Sequence, residues 1–383
     1  MFLVLCVSLF YSPTVIEFNP ANSLQDYWPT LEWQTSTPEE QGMNSKKLEK
    51  MDEYIDSQDW HYYVDSLLII RNGYIVYERY RTESQRTTPH HIYSCTKVIT
   101  STLIGICVDE GNITSIQNPV LDYFPDYSFQ GVNSWKESIT IQHLLSMTSG
   151  LDWYDNQDFY SMMSSSNPVE YVLNQTMVAP PGEQWNYNTG CSHVLSNIIQ
   201  NVSVIGTAYL AANSLFSPLG ITDYSWETKL GVVNGGTLLY LKSRDMAKIG
   251  FLYLNKGNWN GTQIVSEQWI NSASSSFIDF ETPRDHWVGY GYKWWIYHSN
   301  NGYGARGSWM QNILVFPDLN MVVVSTGAGV FSFETLVDRF IITATRPSSL
   351  GWIIGGISGF ILIGSAIGIP VWLLHKRRLK RSY

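Results

Sequence analysis

The chain has 383 residues, 44% of them hydrophobic and 15% charged, with a formal net charge of −9. That balance supplies a core and excludes a disordered chain. It also excludes a nucleic-acid binder, because an acidic chain offers no broad phosphate-binding face.

The N-terminus, MFLVLCVSLFYS, has the short apolar run of a signal-peptide core but not the basic residues that usually precede one. We read residues 1–25 as a signal-like leader. The four cysteines, Cys6, Cys95, Cys107 and Cys191, include no CxxC pair, so buried free thiols are expected rather than a disulfide framework or a zinc site. Asn-x-Ser/Thr sequons stand at Asn112, Asn174, Asn201 and Asn260, glycosylation acceptors where the host has the machinery.

Residues 28–346 carry no low-complexity linker and no repeat and read as one domain. GMNSKKLEKMDEYIDS has the spacing of an amphipathic helix. VDSLLIIRNGYIVYERY is a hairpin turning at Asn72-Gly73. A helix is predicted over Ser94 to Glu110, stopped by Gly111, and further helices over ITIQHLLSMTSGL and SRDMAKIGFLYLNKG. YGYKWWIYHS, ARGSWMQNILVFP and NMVVVSTGA predict a three-stranded antiparallel meander, followed by a last helix, FETLVDRFIITA. First and last helices beside one antiparallel sheet, with helices inserted between, imply an α/β (α+β) sandwich with an all-α lobe and a site in the cleft between them.

Residues 350–374, LGWIIGGISGFILIGSAIGIPVWLL, hold no charge and are followed by HKRRLKRSY. As a helix this run spans roughly 37 Å, enough to cross a membrane. The basic tail, 375–383, stays cytoplasmic by the positive-inside rule, which places the domain outside a cell membrane that the chain crosses once. Glycines at 351, 355 and 359 would permit close helix–helix approach and a homodimer, although glycine is common in membrane helices.

The chemistry centres on YSCTK. Ser94 and Lys97 share a helix face, and Ser94 at a helix start lies beside free backbone N–H groups. A serine attacks only if a base takes its proton, and a lysine is that base only as the free amine, a form that burial favours. Ile92, Val98 and Ile99 supply apolar flanks. The competing reading is an ordinary serine N-cap with a solvated lysine one turn on. PGEQWNYNTG adds Tyr187, a phenol able to relay a proton, and ARGSW adds Gly307, where substrate can approach the backbone, and the Ser308 N–H.

In that order these segments resemble the serine β-lactamase and penicillin-binding-protein superfamily, from about Trp33 to Thr345. They are nearest to its class C-like branch of esterases and 6-aminohexanoate-dimer hydrolases. TPEEQGMNSKKL, LLIIRNGYIVYERY, YSCTKVITSTLIGICVDEGNI, ITIQHLLSMTSGLDW, PGEQWNYNTG and GARGSWMQNILVFPDLNMVVV carry the resemblance. It implies a β-lactamase/transpeptidase-like fold, with Ser94 as the acylated nucleophile, Lys97 as its proton partner and Tyr187 as general acid/base. The amides of Ser94 and Ser308 would form the oxyanion hole. Asn188, Thr189, Arg306 and Gly307 stand in the substrate-reading elements, and Trp153, Trp185 and Trp309 are expected to line an apolar acyl pocket.

The sequence departs from the family pattern twice. Thr189 ends the Tyr-x-Asn element, and Ala305-Arg306-Gly307 replaces the Lys-Thr-Gly box. Both changes favour ester or amide hydrolysis of a small or peptide-like substrate over β-lactam hydrolysis. A non-catalytic ligand- or peptide-binding protein and a D-alanyl peptidase or β-lactamase are the alternatives. No cofactor and no metal are expected, since no histidine group has metal-ligand spacing. His90 and His91 read as loop residues, and His143 and His193 as packed or capped core residues.

Overall fold

The computed structural model describes residues 27–57, 64–329 and 332–345. The leader, 1–25, the apolar run, 350–374, and the basic tail lie outside the described residues. Among the described residues no single helix is long and apolar enough to cross a membrane.

The framework is an eight-stranded antiparallel sheet. Its strands are β1 (Val64–Arg71), β2 (Tyr74–Tyr80), β3 (Ile278–Arg284), β4 (Trp287–Tyr290), β5 (Trp295–Tyr297), β6 (Tyr303–Gly307), β7 (Gln311–Phe316) and β8 (Met321–Gly327). The spatial order is β3-β4-β5-β6-β7-β8-β1-β2. The β1–β2 turn has Asn72 at φ 51° and Gly73 at φ 86°, the paired positive values that a two-residue hairpin demands. The expected three-stranded meander is part of six strands: turns divide the three runs into β5 to β8 and the end of β4, while β3 and most of β4 lie ahead of the first run. ARGSWMQNILVFP breaks at Ser308–Met310, where Trp309 and Met310 take φ 63° and 70°.

Strand periodicity splits the core into two layers. From β1 and β8, Leu68, Ile70, Val322 and Val324 face the helical side. Leu67, Ile69, Met321 and Val323 face the other side, under helix α1 (Ser45–Ser57) and the C-terminal helix beginning at Phe333–Leu336. On the helical side α2 (Thr96–Asp109) is buried almost all round. Its hydroxyls are satisfied internally: Thr100 Oγ1 donates to Gly235 O at 2.7 Å and Ser101 Oγ to Tyr292 O at 2.8 Å. The lobe holds α3 (Asp155–Ser164) and α4 (Thr189–Val202), while α5 (Ser243–Leu254) packs across β7, β8 and β1.

The predicted helix over Ser94 to Glu110 begins two residues late. Tyr93–Cys95 form a 3-10 turn, and Tyr93 has φ 46°. The predicted helix in ITIQHLLSMTSGL spans only Ile141–Leu145, since Met147 turns to φ 63°.

Candidate active site

Ser94 sits in the 3-10 turn ahead of α2, at the bottom of a cleft of about 710 Å³. The cleft is lined by His91, Tyr93, Asp155, Phe159, Tyr160, Thr189, Leu238, Ser308 and Trp309, among others. Lys97, one turn into α2, is 1% exposed. Its Nζ donates to Ser94 Oγ at 2.9 Å and to Gly236 O at 2.8 Å. The Tyr187 ring centroid lies 4.9 Å from the same Nζ.

Three local devices hold this geometry. The first is the Asn234–Thr237 turn, whose buried Asn234 Oδ1 accepts from Gly236 N at 3.0 Å and Thr237 N at 3.1 Å. The turn docks tightly on its neighbours: a Cβ on Gly235 would stand 2.1 Å from Ser192 O, and one on Gly236 2.6 Å from Thr189 Cγ2. The second is Gly307, which ends β6 against the nucleophile turn. A Cβ there would lie 2.5 Å from Ile92 O. Close backbone approach therefore explains this glycine, and it brings Ser308 to the same cleft as Ser94. The third is Asp155. Its Oδ1 accepts from Trp153 Nε1 at 2.7 Å and Thr189 N at 2.8 Å, and its Oδ2 from Thr189 Oγ1 at 2.8 Å.

Ser94, Lys97, Tyr187, Thr189, Gly307, Ser308 and Trp309 are thus brought together. Trp309 is 49% exposed at the cleft wall. Four other residues read as substrate-facing from the sequence are placed elsewhere. Asn188 is the N-cap of α4, its side chain accepting from Cys191 N at 2.9 Å. Arg306 alternates to the far face of β6, where its Nε lies 3.0 Å from Glu334 Oε1 and its guanidinium stacks on Trp287 and Trp295. Trp153 is 5% exposed and packs beside Gly190. Trp185 is not in the cleft lining but sits in an aromatic cluster with Phe280, Tyr290 and Trp295 that also holds the Tyr187 ring, 6.1 Å from its own.

Two further groups bear on the site. His90 and His91 form a short strand paired with Tyr240 and Leu241 rather than a loop. His91 lines the cleft, stacks on Tyr93 with centroids 3.8 Å apart, and its Nε2 accepts from Leu238 N at 3.1 Å. Burial pushes its pKa below the usual imidazole value. Lys293 is fully buried, at φ 71°, and donates to Leu144 O at 2.5 Å and Met147 Sδ at 3.3 Å. Burial brings its pKa down to about 7. No spacing marks Lys293 or Asp155 in the sequence, although the double glycine at 235–236 could have marked the turn. His143 and His193 match their expected places. His143 completes a capping box with Thr140, and burial lowers His193 to about 4.

A serine and a buried lysine in hydrogen-bond contact under a cleft, on an antiparallel sheet with a helical lobe, define a serine-hydrolase scaffold. The chain belongs to the Beta-lactamase family, whose model matches residues 52–329. Among curated proteins it is similar to the 6-aminohexanoate-dimer hydrolase of Paenarthrobacter ureafaciens, 25% identical over 231 residues, 54% of this chain and 56% of that one. The chain thus spans little more than half the length of that relative. Among solved structures it is similar to the octameric penicillin-binding protein homologue from Pyrococcus abyssi, with TM-score 0.61 and 22% identity over 80% of this chain and 77% of the other. A family VIII carboxylesterase matches with TM-score 0.62 and 16% identity, covering 79% and 96% of the two chains.

Proposed function

We propose that the protein hydrolyses ester or amide bonds of small or peptide-like substrates through an acyl-enzyme on Ser94. The observation that carries this is the 2.9 Å contact between Lys97 Nζ and Ser94 Oγ at the cleft floor. With Lys97 as the free amine, one N–H is held by Gly236 O and the lone pair faces the serine hydroxyl. Ser94 Oγ attacks the substrate carbonyl carbon as its proton passes to Lys97. The carbonyl oxygen gains charge between the amides of Ser94 and Ser308. The proton then reaches the leaving alcohol or amine, with Tyr187 beside Lys97 as the relay, and the acyl–Oγ ester remains. Water attacks that ester by the reverse proton path, releasing the acid and restoring the Ser94 hydroxyl.

The cleft also supports a substrate class. Its lining, among the described residues, holds aromatic groups and no arginine or lysine, and Arg306 is engaged with Glu334. Lys97 is buried beneath Ser94 and held by Gly236 O, so a penicillin-type carboxylate would meet no exposed cation there and a neutral acyl group fits best. Residues 350–374 and the basic tail support a single membrane anchor with the domain outside the cell, and the glycine spacing supports a dimer through that segment. Protease protection of the tail in intact cells tests the orientation.

The deciding experiment is to label the detergent-solubilised full chain with a fluorophosphonate and with a fluorescent penicillin, then measure intact mass. An adduct that Ser94→Ala abolishes, with circular dichroism unchanged, is the expected result. Folded protein that takes no adduct and cleaves no ester would leave a ligand-binding role instead.

A further inference from the structure

On the face of the sheet away from the cleft, three side chains from distant parts of the chain converge. His286 lies in the β3–β4 turn and His298 just after β5. Their backbones pair, His298 N donating to His286 O at 3.0 Å, so the rings stand side by side across the two strands. Asp338 comes from the C-terminal helix. Its Oδ2 lies 2.8 Å from His286 Nδ1 and 2.9 Å from His298 Nε2, and the two nitrogens are 3.4 Å apart.

We propose that His286, His298 and Asp338 bind a divalent transition-metal ion of the zinc class, with the remaining position left to water. The donor atoms form a triangle close to what such an ion requires. Bonds of about 2.0–2.1 Å in tetrahedral geometry put neighbouring ligand atoms roughly 3.3 Å apart. The nitrogen pair already has that spacing, and each oxygen edge must open by only about half an ångström. Two imidazoles and one carboxylate are a borderline donor set that suits zinc over calcium or magnesium.

The outer contacts are those a ligand set needs. Asp338 Oδ1 accepts from Tyr297 OH at 2.9 Å, which aims Oδ2 at the imidazoles. The His286 ring lies parallel to Tyr297, with an interplanar angle of 10°. No lysine or arginine forms an ion pair with Asp338 among the described residues; the adjacent Arg339 turns to Tyr54 and Phe340. His298 is the most exposed of the three and leaves a path for the ion. The bound ion would fasten the C-terminal helix to the β4–β5 end of the sheet.

The test is direct titration of chelator-stripped full chain with cobalt(II), read by its visible absorption, followed by displacement with zinc and a thermal melt. The expected result is one cobalt per chain with a tetrahedral spectrum, lost on adding zinc, and a higher Tm in zinc than in chelator. His298→Gln, at the exposed edge, and Asp338→Asn should each weaken cobalt affinity by at least about 100-fold while circular dichroism stays native. If wild-type protein gives no cobalt spectrum and no zinc-dependent Tm, or if both variants keep the wild-type affinity, the proposal fails.

Discussion

Lys97 Nζ joins Ser94 Oγ, at 2.9 Å, to the Gly236 carbonyl, at 2.8 Å, so the base of the proposed reaction is positioned by a turn 139 residues away in sequence. Replacing Lys97 by Met keeps its apolar stem packed and removes the proton acceptor. Turnover of a p-nitrophenyl ester should fall by about 10²–10⁴-fold with the melting curve little changed. Retained turnover would remove Lys97 from the mechanism. Gly236→Ala tests the positioning alone. Its Cβ would meet Thr189 Cγ2 at 2.6 Å and come within 3.5 Å of Lys97 Nζ, so kcat should drop roughly tenfold or more.

Gly307 tests the oxyanion geometry. Its φ of −123° is open to any residue, so the cost of an added Cβ is purely steric. At 2.5 Å from Ile92 O, with Tyr93 Cβ at 3.1 Å, it must push β6 from the nucleophile turn and separate the Ser94 and Ser308 amides. Gly307→Ala should lower kcat by about 10²–10³ and stability by about 1–3 kcal/mol. Unchanged kcat in a folded variant would show that the two amides do not act together.

Trp309 stands half exposed in the cleft wall, whereas Trp153 and Trp185 are absorbed in packing. Trp309→Ala should therefore raise KM for long-chain apolar esters several-fold while leaving acetyl esters nearly unaffected. Equal effects on both would deny it an acyl-binding role.

The parts of this molecule legible in its sequence are those fixed by local patterns. The Asn72-Gly73 turn, the apolar β1 and β8 runs and the Ser94–Lys97 pair each need only a few consecutive residues. Arg306 was legible as a cation but not as to side; strand alternation turns it to Glu334, away from the cleft. Asn188 shows the limit of reading by residue type, because an asparagine before a helix serves equally as substrate contact or as cap, and here Cys191 N takes it. Asp155 and Lys293 were invisible because their partners are contributed by tertiary contacts alone. The same holds for the His286, His298 and Asp338 cluster, which has no local ligand spacing.

Asp155 ties the floor of the lobe to the cleft by accepting three hydrogen bonds from Trp153 and Thr189. Asp155→Ala leaves those donors without their acceptor and should cost about 2–3 kcal/mol in denaturant unfolding. Asp155→Asn keeps one carbonyl for Trp153 Nε1 and Thr189 N, and its amide can donate to the Thr189 hydroxyl, so it should stay within about 1 kcal/mol of wild type. Equal losses in both variants would mean that charge, not hydrogen bonding, is what Asp155 supplies.

Lys293 gives the protein a defined pH signature. Burial holds its folded pKa at about 7 against 10.5 for a free lysine. Between those values the unfolded chain carries a proton that the folded chain does not, so stability rises with pH across that window. The contribution is complete above the unfolded value, is lost as pH falls toward the folded one, and does not change further below it. A shift of this size corresponds to on the order of 5 kcal/mol over the whole window. Lys293→Met places a thioether beside Met147 Sδ and removes the titration. The unfolding free energy of the variant minus that of wild type, measured in urea at several pH values, should therefore increase as pH is lowered from about 10 to 7 and be flat below. Parallel curves for the two proteins would show that Lys293 stays protonated in its buried site.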